Sequence, residues 1–560
     1  MRIRRHSSPS SPSVARRLIA SNPWLSVLTS AFSKGSKANQ TSFPNPSSTS
    51  IPICEPPEPE PLKITESFKK DAQGERDRCG PFSLDIMRTD HSPACTGPAP
   101  INKLPDHVLL KIFDLYRVSS KSSIGHAAHT WPWKRLVHVC QKWRSLVFAS
   151  PHRLDLRLFC DPRTPVRKTL DIWPDLPIII RANLASSAYI YRNSEDENIV
   201  AALEHRDRVF KVELKNLTSY LLPGFTPVML QPFPALAELC LSSDNYASPV
   251  LPDGFLGGSV PNLRHLDLDG IPFPALTKFL LSATHLVRLR LRRIQHTEHI
   301  SPEAMATCLA ELPNLDTLVL EFQSPRTRPS RDYRRSPPLT RSVLPALTTF
   351  EFRGTSEYLE DFVTQIDAPL LDRVTFRFFN QLTFDNPQLS QFIDRTEILR
   401  SLSRAEVQFL SDVVKMTISS PVGRGKIELG ISCGQPDWQL SSMAQLCAQL
   451  SASISRVEQL DVRKGCISGS RWPEDMECTQ WLELFDPFVA VEMLRVQKLG
   501  QLVVPALSEL TGERTADVLP VMRSLSFRGL EATNPIKDDL RPFLSARKSS
   551  NHPVSVRWGA

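Results

Sequence analysis

Two pairs of side chains in the first third of the sequence have types that could do chemistry. His126 and His129 lie three residues apart beside Trp131. No Cys or carboxylate clusters with them, so they do not predict a metal site. Cys140 follows His138 by two residues, an arrangement that resembles an activated thiol. Cys140 also falls on the apolar stripe of a predicted helix, and we therefore expect a packed core cysteine instead.

No catalytic motif is present in the sequence. The phosphate-binding G-x-x-x-x-G-K, the dinucleotide-binding G-x-G-x-x-G, the nucleophile elbow G-x-S-x-G and the zinc motif H-E-x-x-H are all absent. The 11 Cys contain no C-x-x-C pair, which argues against a zinc ribbon or a thioredoxin-type site and indicates reduced thiols. We therefore expect no enzymatic activity, no bound metal and no cofactor.

Cationic side chains are grouped on predicted strands in the middle of the sequence. Side chains alternate between the two faces of a strand, so residues that alternate with the apolar positions point away from the core. Six arginines fit this pattern on three strands: Arg288, Arg290, Arg292, Arg353, Arg373 and Arg377. Guanidinium groups suit bidentate capture of carboxylate or phosphate, so the six predict a site for an acidic or phosphorylated protein segment. The alternative is a solvated charged face that binds no ligand.

Length and composition narrow the class of protein. The chain has 560 residues, of which 41% are hydrophobic, and a net charge of +8. No window holds 18 uninterrupted apolar residues, so we expect a chain that buries a core and does not span a membrane. Acidic and basic residues are interspersed, so the small charge excess does not indicate nucleic-acid binding. The length allows three or four ordinary domains, or a single repeat body.

Residues 1–100 differ in composition from the rest of the chain. They are rich in Pro and Ser, and no acidic residue appears before Glu55. Such a segment cannot bury enough apolar surface to offset its ordering entropy, so we predict a disordered tail that the fold does not need. A basic, Ser-rich start is also typical of a mitochondrial transit peptide, but Pro9, Pro12 and Pro23 interrupt any amphipathic helix. We favour a cytoplasmic or nuclear protein, with mitochondrial targeting as the alternative.

Two amphipathic helices are predicted within residues 101–150. Leu104-Pro105-Asp106 places a proline and an acid at a helix start, and apolar residues follow at helical spacing as far as Tyr116. A polar break begins at Ser119, and a second helix is predicted from Trp133 to Val147. The two helices are too small to form a core alone, so they need a partner surface.

From residue 151 to residue 560 a short apolar frame, L-x-x-L-x-L, recurs. It begins at Val209, Leu236, Leu263, Leu286, Leu315, Leu347, Leu371, Val457, Val491 and Met522. The intervals run from 23 to 34 residues except for one of 86, where we expect degenerate units near Val407 and Ile427. Six in-phase frames have a Pro two places ahead, against roughly two expected by chance. This spacing predicts an α/β repeat, an irregular leucine-rich-repeat-like solenoid, with an ordinary α/β domain as the alternative.

Residues 101–150 resemble the F-box. That motif runs L-P-x-x-[VI]-L-x-x-I-F and later V-C-x-x-W-x-x-[LI], and the chain matches it from Leu104 to Phe113 and from Val139 to Leu146. Between the two halves, residues 119–133 look like an insertion in place of the family's middle helix. Residues 101–560 as a whole also look like the large F-box families of mushroom-forming fungi.

The resemblance implies a substrate-recognition subunit of a Skp-cullin-F-box ubiquitin ligase. The F-box would dock on a Skp-type adaptor, and through it on the cullin and RING subunits, while the repeats bind a protein substrate. The chain would contribute proximity and form no covalent intermediate. We expect the adaptor-binding and module-core surface to consist of Leu104, Pro105, Leu109, Ile112, Phe113, Val139 and Trp143.

Two other functions compete with this one. A non-catalytic repeat scaffold could mediate protein–protein interaction without ubiquitin transfer if the insertion prevents adaptor docking. An unrecognised enzyme is disfavoured, because no convergent nucleophile, base or phosphate loop is found.

Overall fold

The computed structural model describes residues 100–122, 132–184, 192–244, 249–295, 300–325, 340–381, 384–421, 423–465, 477–529 and 534–559. The predicted disordered tail, apart from residue 100, lies outside these residues. So do most of the predicted insertion and both His126 and His129.

Three helices form the first part of the described chain, which we call the helical module (residues 100–122 and 132–148). A single 3-10 turn, Pro100–Lys103, precedes helix α1 (Asp106–Ser122). Helix α1 begins as predicted, because the carbonyl of Pro105 accepts hydrogen bonds from the N–H groups of Val108 and Leu109. Helices α2 (Pro132–Val137) and α3 (Gln141–Phe148) follow.

The single helix predicted from Trp133 to Val147 is wrong, because the chain breaks between α2 and α3. Cys140 has an extended backbone and caps α3, its Sγ accepting the N–H of Trp143 at 3.5 Å. Arg144 Nε donates to the carbonyl of Val137 at 2.9 Å, which satisfies one of the free carbonyls at the end of α2. Cys140 therefore packs half-buried against the core as a helix cap, and not on a helix stripe.

Strands and helices alternate through the rest of the described chain. The strands are β1 (Leu158–Cys160), β2 (Ile178–Asn183), β3 (Val209–Lys215), β4 (Glu238–Ser242), β5 (His265–Asp269), β6 (Arg288–Ile294), β7 (Thr317–Phe322), β8 (Ser342–Val343), β9 (Thr349–Gly354), β10 (Ile366–Asp367), β11 (Arg373–Phe378), β12 (Arg404–Phe409), β13 (Val413–Ser419), β14 (Lys426–Ser432), β15 (Gln459–Lys464), β16 (Met493–Gln497), β17 (Ser524–Arg528) and β18 (Ser555–Gly559). The helices are α4 (Val166–Ile172), α5 (Arg192–Glu204), α6 (Leu222–Met229), α7 (Leu276–Ser282), α8 (Pro302–Ala310), α9 (Ser356–Gln365), α10 (Pro387–Arg395), α11 (Glu397–Arg400), α12 (Pro436–Gln449), α13 (Ser451–Ile454), α14 (Cys478–Phe485), α15 (Gly500–Ser508) and α16 (Asn534–Ser549).

One large, mostly parallel sheet contains nearly all of the described strands. Its 16 strands lie in the order β1-β2-β3-β4-β5-β6-β7-β9-β11-β14-β13-β12-β15-β16-β17-β18, and β8 pairs with β10 in a separate parallel sheet. Only β13, among these strands, runs antiparallel to its neighbours. The fold is therefore α/β, as the sequence predicts.

The apolar frames fall at the same place in successive strands, where hydrogen bonds to the preceding strand begin. The N–H groups of Arg264 and His265 both donate to the carbonyl of Ala237, at 2.8 and 3.0 Å. The same paired bonds join residues 287–288 to 264, 316–317 to 287, 348–349 to 316, 372–373 to 348, 492–493 to 458 and 523–524 to 492. Within most frames the apolar residues are buried and the residues between them are less so, as in Leu266 and Leu268 of β5; in β7 Thr317 and Val319 are buried as well. The predicted strands and their phase are thus confirmed.

The helical module packs on the start of this α/β body. Trp133 Nε1 donates to the carbonyl of Arg157 at 3.2 Å, and its ring meets that of Trp173 edge-on at 5.2 Å between centroids. Buried residues from Leu109 to Phe543 belong to a single apolar cluster. The partner surface that the two predicted helices need is therefore supplied, at least in part, by the same chain.

An inverted group of strands fills the interval of 86 residues. Val407 and Ile427 do lie on strands, β12 and β14, but β14 is the strand next to β11 and β12 is next to β15. Both strands run parallel to these neighbours, so the predicted strands are present, but their order in the sheet is the reverse of their order in the chain. The chain links β12 to β13 and β13 to β14 through only residues 410–412 and 420–425, and such short connections can join only antiparallel neighbours.

Candidate functional site

Helix α1 carries two apolar faces. Leu109, Leu110 and Phe113 are buried, whereas Ile112 is 39% exposed and Leu115 is 63% exposed. Side chains three or four residues apart lie on the same side of a helix, so the half-buried Val108 and the exposed Ile112 and Leu115 form an outward stripe, which we call the α1 stripe. A surface helix normally buries one apolar stripe and exposes polar residues elsewhere, so this second stripe suits a partner protein.

The predicted adaptor-binding residues divide into two groups in the structure. Leu109, Phe113 and Trp143 are buried, and the rings of Phe113 and Trp143 pack 4.8 Å apart. These three belong to the module core. Pro105, Ile112 and Val139 are exposed, Val139 to 56%, and Leu104 is half-buried.

Lys142 places the α2–α3 junction beside the start of α1. Its Nζ donates to the carbonyl of Leu104 at 3.2 Å and lies 3.4 Å from Asp106 Oδ1. The exposed side chains of Pro105 and Val139 therefore belong to the same end of the module. Sequence reasoning missed Leu115 and Ile101, both exposed, because neither belongs to the F-box pattern.

The second candidate surface is the face of the large sheet opposite the buried apolar residues, which we call the open face. On β6 it carries Arg288, Arg290 and Arg292. The residues just after the last buried position of a frame lie directly opposite one another in three runs of neighbouring strands. The strand register aligns Ser242 with Asp269 and Arg292, Glu321 with Arg353 and Arg377, and Arg463 with Gln497 and Arg528.

The arginines of β6 share a carboxylate on the neighbouring strand. Asp267 on β5 has its Oδ2 3.9 Å from Arg290 Nη1 and 3.7 Å from Arg292 Nη1. Burial raises the pKa of Asp267 above its ordinary value, although both guanidinium groups oppose this. Arg288 is exposed. Part of the cationic charge predicted on β6 is thus offset within the sheet, by a carboxylate on a different frame.

The other three predicted arginines lie together on β9 and β11. Arg353 is directly opposite Arg377, and Arg373 is opposite Thr349. All three are exposed. β7 separates β6 from β9, which sets the two arginine groups two strand spacings apart, roughly 10 Å. The structure therefore brings the six arginines together as two neighbouring groups on one face.

Within the described ranges, no three His, Cys, Asp or Glu side chains group as metal ligands would. No helix in that part of the chain is long and apolar enough to cross a membrane.

Comparison with protein-family models and with curated proteins finds no match to this chain.

Proposed function

We propose that this chain is the substrate-recognition subunit of a Skp-cullin-F-box ubiquitin ligase. The helical module would dock on the Skp-type adaptor, and the open face would bind a protein substrate. The observation that carries the proposal is the α1 stripe, which lies within the segment that resembles the F-box and is left uncovered by the rest of the described chain. Its large apolar side chains offer the type of surface that an obligate partner covers.

Two structural features support an F-box interpretation of the module. A short helix, α2, does lie between the two halves of the motif, although it begins only at Pro132, at the end of the predicted insertion. The core pair Phe113 and Trp143 joins the two halves of the motif across the module. A module of this size has too little apolar surface to complete its own core, which favours burial against both the α/β body and an adaptor.

A leucine-rich-repeat-like solenoid is the architecture we propose for residues 151–560. The recurrent pair of N–H donors at the start of successive parallel strands such as β5, β6 and β7, and the spacing of the frames along the sequence, support it. Repeats stacked in this way form a rigid extended surface for a protein ligand. We propose that the substrate segment is acidic or phosphorylated, because Arg288, Arg353, Arg373 and Arg377 expose guanidinium groups on that surface.

The proposal includes no catalysis by this chain and places it in the cytoplasm or nucleus, where the adaptor and cullin would be met. Ubiquitin transfer would depend on the conjugating enzyme held by the cullin and RING subunits. This chain would raise the local concentration of substrate at that enzyme.

Affinity purification of the full-length chain from cells with the proteasome blocked tests the proposal. We expect a Skp-type adaptor and a cullin to co-purify, and ubiquitin conjugates of a bound protein to accumulate. A double variant, Ile112→Ser with Leu115→Ser, should lose the adaptor and retain the substrate. A protein that binds partners but never the adaptor would instead be the non-catalytic scaffold, and this outcome would overturn the ligase assignment.

A further inference from the structure

The inverted strands bring two lysines beside the arginines of β11. Because β14 pairs with β11 in parallel register, Lys426 lies directly opposite Arg373. On the same strands Arg377 is opposite Gly430, and Gly430 is opposite Lys415 of β13. Neither lysine belongs to a predicted repeat frame. We call Arg353, Arg373, Arg377, Lys415 and Lys426 the basic cluster.

The basic cluster carries more positive charge than the sheet around it offsets. On the open face of β9, β11, β14 and β13, its five cations meet only two carboxylates, Glu351 and Glu428, which leaves a net charge of +3. Like charges directly opposite on neighbouring strands destabilise a sheet, and Arg353 faces Arg377 in this way. Among the described residues, none forms an ion pair with Arg353 or Arg373.

On one side of the cluster, the arginines of the neighbouring strands are each paired with a carboxylate. On β12 and β15, Arg404 pairs with Asp461 at 2.8 Å, and Arg463 pairs with Glu406. On the other side, Glu321 of β7 lies opposite Arg353. The cluster therefore covers four strands, roughly 14 Å from first to last. This extent suits one or two anionic groups and is short for a nucleic-acid backbone.

Gly430 lies in the middle of the cluster and is buried beneath its neighbours. A Cβ at this position would be in van der Waals contact with Arg377 Cγ at 3.6 Å and Val413 Cγ2 at 3.8 Å, so neighbouring side chains already cover the glycine. Arg377 stands on one side of Gly430 and Lys415 on the other, with two strand spacings, roughly 10 Å, between their backbones. Two long cationic side chains that flank a glycine can converge on one anion.

Glu428 lies among the cations of the basic cluster but does not use all of their hydrogen-bond donors. Its Oε2 lies 2.9 Å from Lys426 Nζ, but its Oε1 is 3.8 Å from both Arg377 Nη2 and Lys415 Nζ. Distances of 3.8 Å are longer than a hydrogen bond, so this carboxylate satisfies no donor of Arg377 or Lys415. Those donors stay available to a ligand oxygen.

We propose that Arg377 and Lys415, which flank Gly430, bind a phosphate group carried on a segment of a protein as its direct ligands. Arg353, Arg373 and Lys426 would add long-range attraction. A phosphate offers three acceptor oxygens and nearly two negative charges at pH 7, which matches several convergent cations better than a single carboxylate does. That the segment belongs to a ubiquitination substrate rests on the proposed function; the phosphate site itself does not.

A degenerate phosphoserine peptide library, with its unphosphorylated counterpart, is the probe we would use on the full-length chain. We expect retention of the phosphorylated library only. Arg377→Ala and Lys415→Ala should each weaken retention roughly tenfold, as loss of one charge-assisted hydrogen bond predicts. Gly430→Val should also weaken retention without changing any charge, because the added side chain would displace that of Arg377, whose Cγ lies 3.6 Å from the Cβ position.

Arg528→Ala is the matched control, since Arg528 is exposed on the open face of β17, in the corresponding row and outside the cluster. It should leave retention unchanged, and all variants should keep the wild-type unfolding midpoint. Equal retention of both libraries would overturn the proposal. So would loss of retention in Arg290→Ala but not in Lys415→Ala, which would move the site to β6, or displacement of the library by low concentrations of single-stranded RNA.

Adaptor capture by the same variants separates the two proposals. If the chain captures no adaptor but retains the phosphorylated library through Arg377 and Lys415, the ligase assignment fails and the phosphate site stands. If it captures the adaptor and ignores the library, the phosphate site fails alone.

Discussion

Truncation of Leu115 to alanine should weaken adaptor binding without destabilising the chain. Full burial of a leucine side chain contributes about 1.5 to 3 kcal/mol. Leu115 is still 63% exposed in the structure, so an adaptor that covers it would gain about 1 to 2 kcal/mol. Leu115→Ala should therefore raise the Kd roughly five- to thirtyfold. Ile112, at 39% exposed, has less area left to bury, and Ile112→Ala should have the smaller effect.

Titration calorimetry with purified Skp-type adaptor and the full-length chain measures this difference. Leu281→Ala is the matched control, because Leu281 is a helical leucine of α7 that is 49% exposed. It should leave the Kd unchanged. Neither substitution should move the unfolding free energy by more than about 0.5 kcal/mol, as is usual for exposed sites. A Kd within twofold of wild type for Leu115→Ala, or an equal loss for Leu281→Ala, would refute the docking surface.

Two further predictions concern stability. Arg547 is fully buried and donates to the carbonyls of Leu519 and Pro520. Arg547→Met should therefore lower the free energy of unfolding, measured in urea, by about 1 to 3 kcal/mol, because those carbonyls would lose their partner. Arg541→Met, on the exposed side of the same helix, is the control and should change it by less than about 0.5 kcal/mol. Burial would raise the pKa of Glu428, but the nearby cations outweigh burial and hold that pKa below its ordinary value of 4.5. The ionised Glu428 therefore stabilises the fold above pH 4.5, and this contribution is lost as the pH falls through the lowered pKa. Glu428→Gln should accordingly lower the urea midpoint at pH 7, and its difference from wild type should shrink as the pH falls below the ordinary value of 4.5; a constant difference would contradict this.

The strands were predictable from the sequence because their periodicity is local. In the frame that begins at Leu263, the alternation alone indicates that Leu266 and Leu268 point inward and that His265 and Asp267 point outward. Repetition of that frame along the chain then predicts the parallel pairing. The start of α1 was predictable for a similar reason, since Pro105 and Asp106 are local signals.

The break between α2 and α3 was not predictable from apolar spacing. The helical spacing continues from Val137 through Cys140 to Trp143, and only the extended backbone of Cys140 interrupts it. The order of β12, β13 and β14 was also hidden, because alternating burial looks the same in parallel and antiparallel strands. The short connection at Ser411-Asp412 is the signal that could have found it.

The candidate surfaces were not predictable, because they depend on which strands and helices become neighbours in space. The pattern within a single frame gives no information about this. Asp267 offsets Arg290 because β5 lies beside β6, and Lys426 reinforces Arg373 because a distant strand returns beside β11. The exposure of Leu115 likewise reflects which side of α1 the α/β body covers.

The pair β13–β14 can be viewed as a removable unit in the history of the chain. Without residues 413–432, β12 would become the neighbour of β11, both would run parallel, and the remaining strands would form an uninterrupted parallel series. Gain or loss of this hairpin would add or remove Lys415, Lys426 and Gly430 together, along with the buried residues of β13 and β14 that pack on α12. The proposed phosphate site would thus appear or vanish in a single genetic event, together with the part of the core that the hairpin contributes.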